Sequence, residues 1–279
     1  MNAQSSSSAK KSVVITGGAS GLGLAMTTHF ASQGHIVTIL DLNNESGLGV
    51  AAEISSQYPQ AIVTFKKADV TSWQALATAF KEIHHEHGRV DVAIANAGIS
   101  EQGISSLAVL DESEPSQPNL KTLDVNLTGV IYTVKLAIHY IQKNTPDTST
   151  GSRGSIICTA SNAGLYPFPS APLYGASKHG VIGLVRALGK SLEQVGIQIN
   201  ALAPAVLESN LAAKALYQDM TITPKSTLIK GVEKLLNDPT ITGEVAEIHG
   251  ESVTIRPHHD IVDEDTRKNL GMFWNRGYT

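Results

Sequence analysis

Residues 12 to 23 read Ser-Val-Val-Ile-Thr-Gly-Gly-Ala-Ser-Gly-Leu-Gly, and no other stretch of the chain restricts its fold as tightly. Val13, Val14 and Ile15 form an unbroken apolar run, the pattern of a strand covered on both faces. Gly17, Gly21 and Gly23 follow at a T-G-x-x-x-G-x-G spacing, with Ser20 and Leu22 between them. The first gap is two residues wider than in the G-x-G-x-x-G fingerprint. Glycines so placed let the backbone turn sharply and approach a pyrophosphate, at which the N–H groups of the helix starting near Gly21 point their positive dipole end. The same glycines would also serve a plain strand-to-helix corner.

Downstream, short β-branched runs alternate with helical patterns, which predicts βαβ crossovers and a parallel sheet covered on both faces. Strands are expected near 12–17, 35–41, 61–67, 90–95, 153–160, 196–202 and 244–255, and helices at about 22–33, 44–57, 72–88, 119–143 and 173–195. The fold class is therefore α/β, a single-domain doubly wound parallel sheet of about seven strands. No Pro/Gly/Ser linker divides the 279 residues, so one domain is expected over 12–260. A flexible segment at 1–11 and a polar tail at 261–279 flank it, and the long polar connection at 99–118 carries Pro115 and Pro118. Twenty-one basic against 25 acidic residues leave no basic footprint for nucleic acid. No apolar stretch reaches the length of a membrane span, and the single cysteine, Cys158, fits a reducing compartment, the cytoplasm by default.

The second strand ends Ile39-Leu40-Asp41, a carboxylate 18 residues beyond Gly23. That is close to the ~20 expected of a group accepting the hydroxyls of an adenine ribose. Its charge would repel a 2′-phosphate, and neither Ser20 nor Leu42 supplies a cation, which favours NAD over NADP. The alternative is that Asp41 caps the helix beginning near Asn44. Asp69-Val70 closes the third strand and Asn96-Ala97-Gly98 the fourth. Both turns belong at the carboxyl ends of strands, where adenine and ribose would sit, though either suits ordinary turn chemistry.

Asn126, Ser161, Tyr174 and Lys178 form the reactive set. Tyr174 and Lys178 are four apart near the start of a helical pattern, so they share a face. A free phenol is a poor base at neutral pH, and a nearby ammonium together with an oxidised nicotinamide would stabilise the phenolate. Ser161 is placed to hydrogen-bond a substrate oxygen, and no G-x-S-x-G elbow surrounds it. Asn126, inside a helical stretch, is placed to kink the helix and hold a water for a proton relay.

The order and spacing of Thr16 to Gly23, Asn96-Ala97-Gly98, Asn126, Ser161 and Tyr174-x-x-x-Lys178 resemble the short-chain dehydrogenase/reductase family over residues 16 to 210. The resemblance implies a Rossmann-type fold, a nicotinamide cofactor and hydride exchange at a carbinol or carbonyl carbon, with Asn126, Ser161, Tyr174 and Lys178 matching the catalytic tetrad. It also implies a homodimer or homotetramer, with the helices at 119–143 and 173–195 as the pairing surface. The glycine motif, Asp41 and Ile222-Thr223-Pro224 before a late helix are similar to the NAD-linked 15-hydroxyprostaglandin dehydrogenase type. One departure follows the sixth strand, where the family has Pro-Gly-x-Val-x-Thr and this chain has Pro204-Ala205-Val206-Leu207-Glu208-Ser209. Ala205 removes a flexible glycine from the loop expected to wrap the nicotinamide, while Ser209 keeps a hydroxyl for the carboxamide.

The substrate loop near 205–222 and the stretch 162–173 are expected to wall the pocket beyond the nicotinamide. Leu165, Tyr166, Phe168, Leu211, Leu216 and Tyr217 suggest a lipophilic secondary alcohol or ketone. No metal site is expected: His84-His85-Glu86-His87 suits a helix C-terminus, His258-His259-Asp260 a solvated surface, and Cys158 a buried small hydrophobe. Asp111-Glu112-Ser113-Glu114 reads as a solvated loop. A non-redox cyclase or isomerase, or a coenzyme-sensing binding protein, are the alternatives that keep the same scaffold.

Overall fold

The computed structural model describes residues 10–101, 107, 113–209 and 217–276. Its strands are β1 (Ser12–Thr16), β2 (Ile36–Asp41), β3 (Ile62–Lys67), β4 (Val92–Ala95), β5 (Gly154–Thr159), β6 (Ile197–Pro204), β7 (Val245–His249) and β8 (Ser252–Arg256). Its helices are α1 (Gly21–Ser32), α2 (Asn44–Gln57), α3 (Trp73–His87), α4 (Lys121–Leu123), α5 (Gly129–Ile141), α6 (Pro172–Glu193), α7 (Lys225–Asn237) and α8 (Glu264–Arg276). One sheet runs β3-β2-β1-β4-β5-β6-β7-β8, parallel throughout except for the antiparallel β7–β8 pair.

The period of two along each strand divides the core into two layers. Val13, Ile15, Val92, Ile94 and Ile157 pack with Met26, Phe30 and Leu228 beneath α1, α2 and α7. Val14, Ala93, Ala95, Ile156 and Cys158 pack with Phe80, Val134 and Val181 beneath α3, α5 and α6. Both faces are thus buried, which is why the strands read as continuous apolar runs rather than alternating ones. Helices α2 and α3 start where short polar side chains accept first-turn N–H groups. Asn43 Oδ1 takes Ser46 N–H at 3.1 Å for α2, and Ser72 Oγ takes Ala75 N–H at 3.2 Å for α3.

Three expectations are corrected. The single last strand at 244–255 is a hairpin, β7 and β8, turned at Gly250 with φ 50, so the sheet has eight strands and not seven. Thr223 and Thr227 hold that turn through Gly250 N–H and C=O at 3.1 and 2.7 Å. The helix expected at 119–143 is interrupted between α4 and α5 by a π turn, Asp124–Thr128, in which Gly129 N–H reaches back to Asp124 O. The tail at 261–279 contains α8, whose first turn is capped by Asp263 Oδ1 accepting Thr266 N–H at 2.7 Å. Residues 1–9 and 277–279 of the expected flanking segments lie outside the described residues, as do Asp111, Glu112, Leu211 and Leu216.

From β1 the chain winds outward to β2 and β3, then crosses back to β4 on the other side of β1. The connections leaving β1 and β4 therefore diverge, and a crevice opens above their carboxyl ends.

Candidate active site

A cleft of about 860 Å³ occupies that crevice. Gly17, Ser20, Gly21, Leu22, Asp41, Asp69, Val70, Asn96, Ala97 and Gly98 line it together with Ser161, Tyr174, Lys178, Pro204, Ala205, Leu207 and Ser209, and the two sets meet where Ser209 lies beside Gly21 and Lys178 Nζ beside Gly98. The glycine turn is shaped by real constraints. Gly17 has φ 65, and a Cβ there would lie 2.9 Å from the Cα of Ala97. At Gly23, which packs behind the turn, a Cβ would fall 2.0 Å from the carbonyl oxygen of Gly17. Ser20 occupies the N-cap position of α1 without a side-chain cap bond and is exposed, so its hydroxyl and the first N–H groups of α1 face the crevice together.

Asp41 is fixed by two backbone donors, Ala19 N–H on Oδ2 and Asn43 N–H on Oδ1, both at 3.2 Å. The cap of α2 is Asn43, so the helix-capping alternative for Asp41 falls away. Asp69 both lines the cleft and closes a local turn, its Oδ1 accepting Thr71 N–H at 2.9 Å and Thr71 Oγ1–H at 2.8 Å. Asn96 does bracing work the sequence did not disclose. Its Nδ2 donates to the Thr16 and Gly17 carbonyls at 3.2 and 3.3 Å, and its Oδ1 accepts from Thr159 Oγ1 at 3.1 Å. Thr16 Oγ1 in turn accepts Asn96 N–H and Ala97 N–H at 2.9 and 3.1 Å.

The side chains expected to be reactive come from three places in the fold: the π turn, the end of β5 and α6. Asn126 lies in the π turn, fully buried. Its Oδ1 accepts Ile99 N–H and its Nδ2 donates to Ile99 O, both at 2.8 Å, and Nδ2 also reaches Ser177 Oγ at 3.3 Å. The amide expected to hold a water is thus committed to the backbone of the segment after β4. Ser161 sits just past β5, its Oγ accepting Ala163 N–H at 3.1 Å and in hydrogen-bond contact with the Tyr174 phenol. Lys178 is buried one helical turn beyond Tyr174, with Nζ donating to Thr159 O at 2.8 Å and lying 5.6 Å from the centre of the Tyr174 ring.

The electrostatics differ from the sequence expectation. Burial pushes the Tyr174 phenol above its ordinary value, the Ser161 hydrogen bond opposes this, and the nearby Tyr217 phenol adds to it. Burial also lowers Lys178 to about 8, with Cys158 acting weakly in the other direction. Lys178 is not among the groups that shift the phenol: its ammonium donates to the Thr159 carbonyl, and both groups are desolvated.

Of the expected pocket residues, Leu165 packs against the core and Tyr166 donates its hydroxyl to Glu247 Oε2 at 3.1 Å. The Phe168 ring lies 6.1 Å from that of Tyr174. Tyr217, expected as an apolar wall, makes polar contacts: its hydroxyl donates to Ser209 O at 3.1 Å and accepts Ser209 N–H at 3.3 Å. Val206 serves the loop itself, its carbonyl accepting Thr223 N–H at 2.7 Å. Sequence reasoning also missed Glu101, whose Oε2 accepts Tyr174 N–H at 3.0 Å. A signal existed: α6 opens Ala171-Pro172, with no local side chain to cap it.

A mostly parallel α/β sheet with a glycine turn at its switch point and Ser161, Tyr174 and Lys178 lining the same cleft defines a doubly wound, Rossmann-type scaffold. The sequence model of the family described as short chain dehydrogenase matches residues 11–219, and the chain belongs to that family. Short-chain dehydrogenase/reductase prx4 of Penicillium roqueforti is 41% identical over 202 residues, covering 72% of this chain and 56% of that protein. The chain thus spans little more than half the length of such relatives. The 5′-hydroxyaverantin dehydrogenase of Dothistroma septosporum is 32% identical over 263 residues, covering 88% of this chain and 84% of that one. Among solved structures, levodione reductase superposes with a TM-score of 0.75 at 23% identity, covering 86% of this chain and 96% of that chain, a likeness of fold.

Proposed function

We propose that this chain is an NAD(H)-dependent oxidoreductase exchanging a hydride with a lipophilic secondary alcohol or its ketone, with Tyr174 as the general acid/base. The observation that carries the reading is one cleft lined both by Asp41 and the glycine turn and by Ser161, Tyr174 and Lys178. The glycines fit the coenzyme: Gly17 and Gly23 leave no room for a Cβ against Ala97 and the Gly17 carbonyl, and the sharp turn they allow brings the start of α1 to the cleft wall. Gly17, Ser20, Gly21 and Leu22 would hold its pyrophosphate, Asp41 its adenine ribose, Asp69, Val70 and Asn96-Ala97-Gly98 the adenosine half, and Pro204 to Ser209 the carboxamide end. A bound nicotinamide supplies the hydride acceptor and, when oxidised, a positive charge.

Ser161 holds the substrate oxygen by a hydrogen bond while Tyr174 accepts the hydroxyl proton, or returns it in the reductive direction. Lys178 would keep an ammonium beside the phenol ring and, together with the positive charge of an oxidised nicotinamide, would favour the phenolate. Phe168 beside Tyr174 supports an apolar substrate wall, and the Dothistroma relative is named for an alcohol. The resemblance to the 15-hydroxyprostaglandin dehydrogenase type points the same way. Ile131, Lys135 and His139 form the outward stripe of α5, on which we place a homo-oligomer contact; a monomeric mass in solution would remove it. The buried thiol of Cys158 suits a reducing compartment, and we propose the cytoplasm.

The test is nicotinamide absorbance over time, with NAD and NADP in parallel, against lipophilic secondary alcohols and their ketones. Turnover with NAD that falls by about 10²- to 10⁴-fold in Tyr174→Phe is expected. Preference for NADP would overturn the reading of Asp41, and product formed without change in the coenzyme would overturn the redox reading.

A further inference from the structure

The backbone of Tyr174 is gripped at both ends by a closed circuit of hydrogen bonds. Its N–H donates to Glu101 Oε2 at 3.0 Å, and its carbonyl accepts Ser177 Oγ–H at 2.7 Å. Ser177 Oγ is reached by Asn126 Nδ2 at 3.3 Å. Asn126 in turn clamps both backbone groups of Ile99 at 2.8 Å, two residues before Glu101. The circuit therefore runs Tyr174, Glu101, Ile99, Asn126, Ser177 and back to Tyr174, joining the segment after β4, the π turn and the first turn of α6. Ile99 and Ser100, between its anchors, line the cleft.

Glu101 is the member with no local substitute. Pro172 has no N–H, Ala171 has no side-chain acceptor, and the first turn of α6 carries no acidic residue. The free N–H groups of that turn need an acceptor from elsewhere, and a carboxylate is the best kind at the positive end of a helix. We propose that Glu101 is a positioning residue for the reaction, a helix cap delivered from another element that fixes where the Tyr174 phenol stands relative to Ser161. The proposal rests on the reading of Tyr174 as the acid/base. Displacing a proton-transfer group by a fraction of an ångström slows the chemical step while leaving coenzyme affinity intact.

The experiment compares Glu101→Ala and Glu101→Gln with wild type in three readouts: kcat and KM, the dissociation constant of NAD, and hydrogen exchange at the Tyr174 amide. Gln retains an acceptor oxygen and Ala does not. Glu101→Ala is expected to lower kcat about tenfold with little change in NAD affinity, and to lose protection at the Tyr174 amide. Glu101→Gln is expected to restore most of both. Unchanged kcat in Glu101→Ala overturns the proposal while the dehydrogenase reading stands. Equal impairment of Ala and Gln, with equal loss of thermal stability, also overturns it, since that is general destabilisation. If wild type turns over no alcohol or ketone, the dehydrogenase reading fails and amide exchange alone decides. Protection lost in Ala and kept in Gln upholds the positioning of Tyr174, and protection equal in wild type and Ala overturns it.

Discussion

Lys178 pairs a buried ammonium with a single carbonyl acceptor, Thr159 O, so the fold works against its charge. Burial lowers its pKa from 10.5 to about 8, and the sign of the effect on stability follows. Below about pH 8 both folded and unfolded chains bind the proton and the full desolvation penalty is present; between 8 and 10.5 the unfolded chain binds more protons, and stability rises with pH. From pH 7 to 9.5 this contributes about 2 kcal/mol. Urea unfolding of wild type and Lys178→Met at the two pH values checks it: wild type should gain that amount relative to the variant, and parallel pH profiles would contradict it. Cys158 makes a second prediction at the same scale. Its thiol is buried and pushed up to about 12, so iodoacetamide at pH 8 should leave it unmodified in the native protein and alkylate it after unfolding.

Between elements, the ends of β1 and β4 are stitched by Thr16 and Asn96, and this fixes the glycine turn. Thr16→Val keeps the shape and removes an acceptor from two N–H groups, those of Asn96 and Ala97. A loss of about 2 to 3 kcal/mol in unfolding free energy is expected, with weaker coenzyme binding, while Thr16→Ser should lose less than about 1 kcal/mol. Equal effects of Val and Ser would show that the hydroxyl is not the stitch. The strands and helices around this joint were legible because period and capping are local: Val13 to Ile15 read as a covered strand, and α2 begins where Asn43 can cap it. Other elements were not legible for physical reasons. A π turn at Asp124–Thr128 widens a helix without breaking its apolar pattern, and Gly250 inside a β-branched run reads as a bulge as easily as a hairpin. Helix α8 has an Asp263 cap but a polar composition with no apolar stripe along its length to announce it, so the stretch reads as a tail. The site's residue types showed in their spacing, whereas Glu101 meets Tyr174 across 73 positions, a contact only the tertiary fold creates.

At the scale of the whole molecule, coenzyme choice and stability are one equilibrium. The cleft joins residues from β1, β2, β4, β5, α6 and the loop after β6, so a ligand filling it ties both halves of the sheet together and binds only the folded chain. At a concentration 100 times its Kd, such a ligand adds about 2.7 kcal/mol. For a domain of this size that raises the melting temperature by about 5 to 10 °C. In the proposed reading NAD and NADP are told apart at Asp41, whose two backbone partners hold the carboxylate in place rather than letting it swing away from a 2′-phosphate. NAD is therefore expected to give the larger shift at equal concentration. Asp41→Ala should shrink the shift with NAD, which loses its ribose acceptor, and enlarge the shift with NADP, which loses its repulsion. Thermal melts of both proteins with both coenzymes make the four-way comparison. A wild-type preference for NADP would mean that a cation outside the Asp41 turn, such as Lys121 on the cleft wall, receives the phosphate instead.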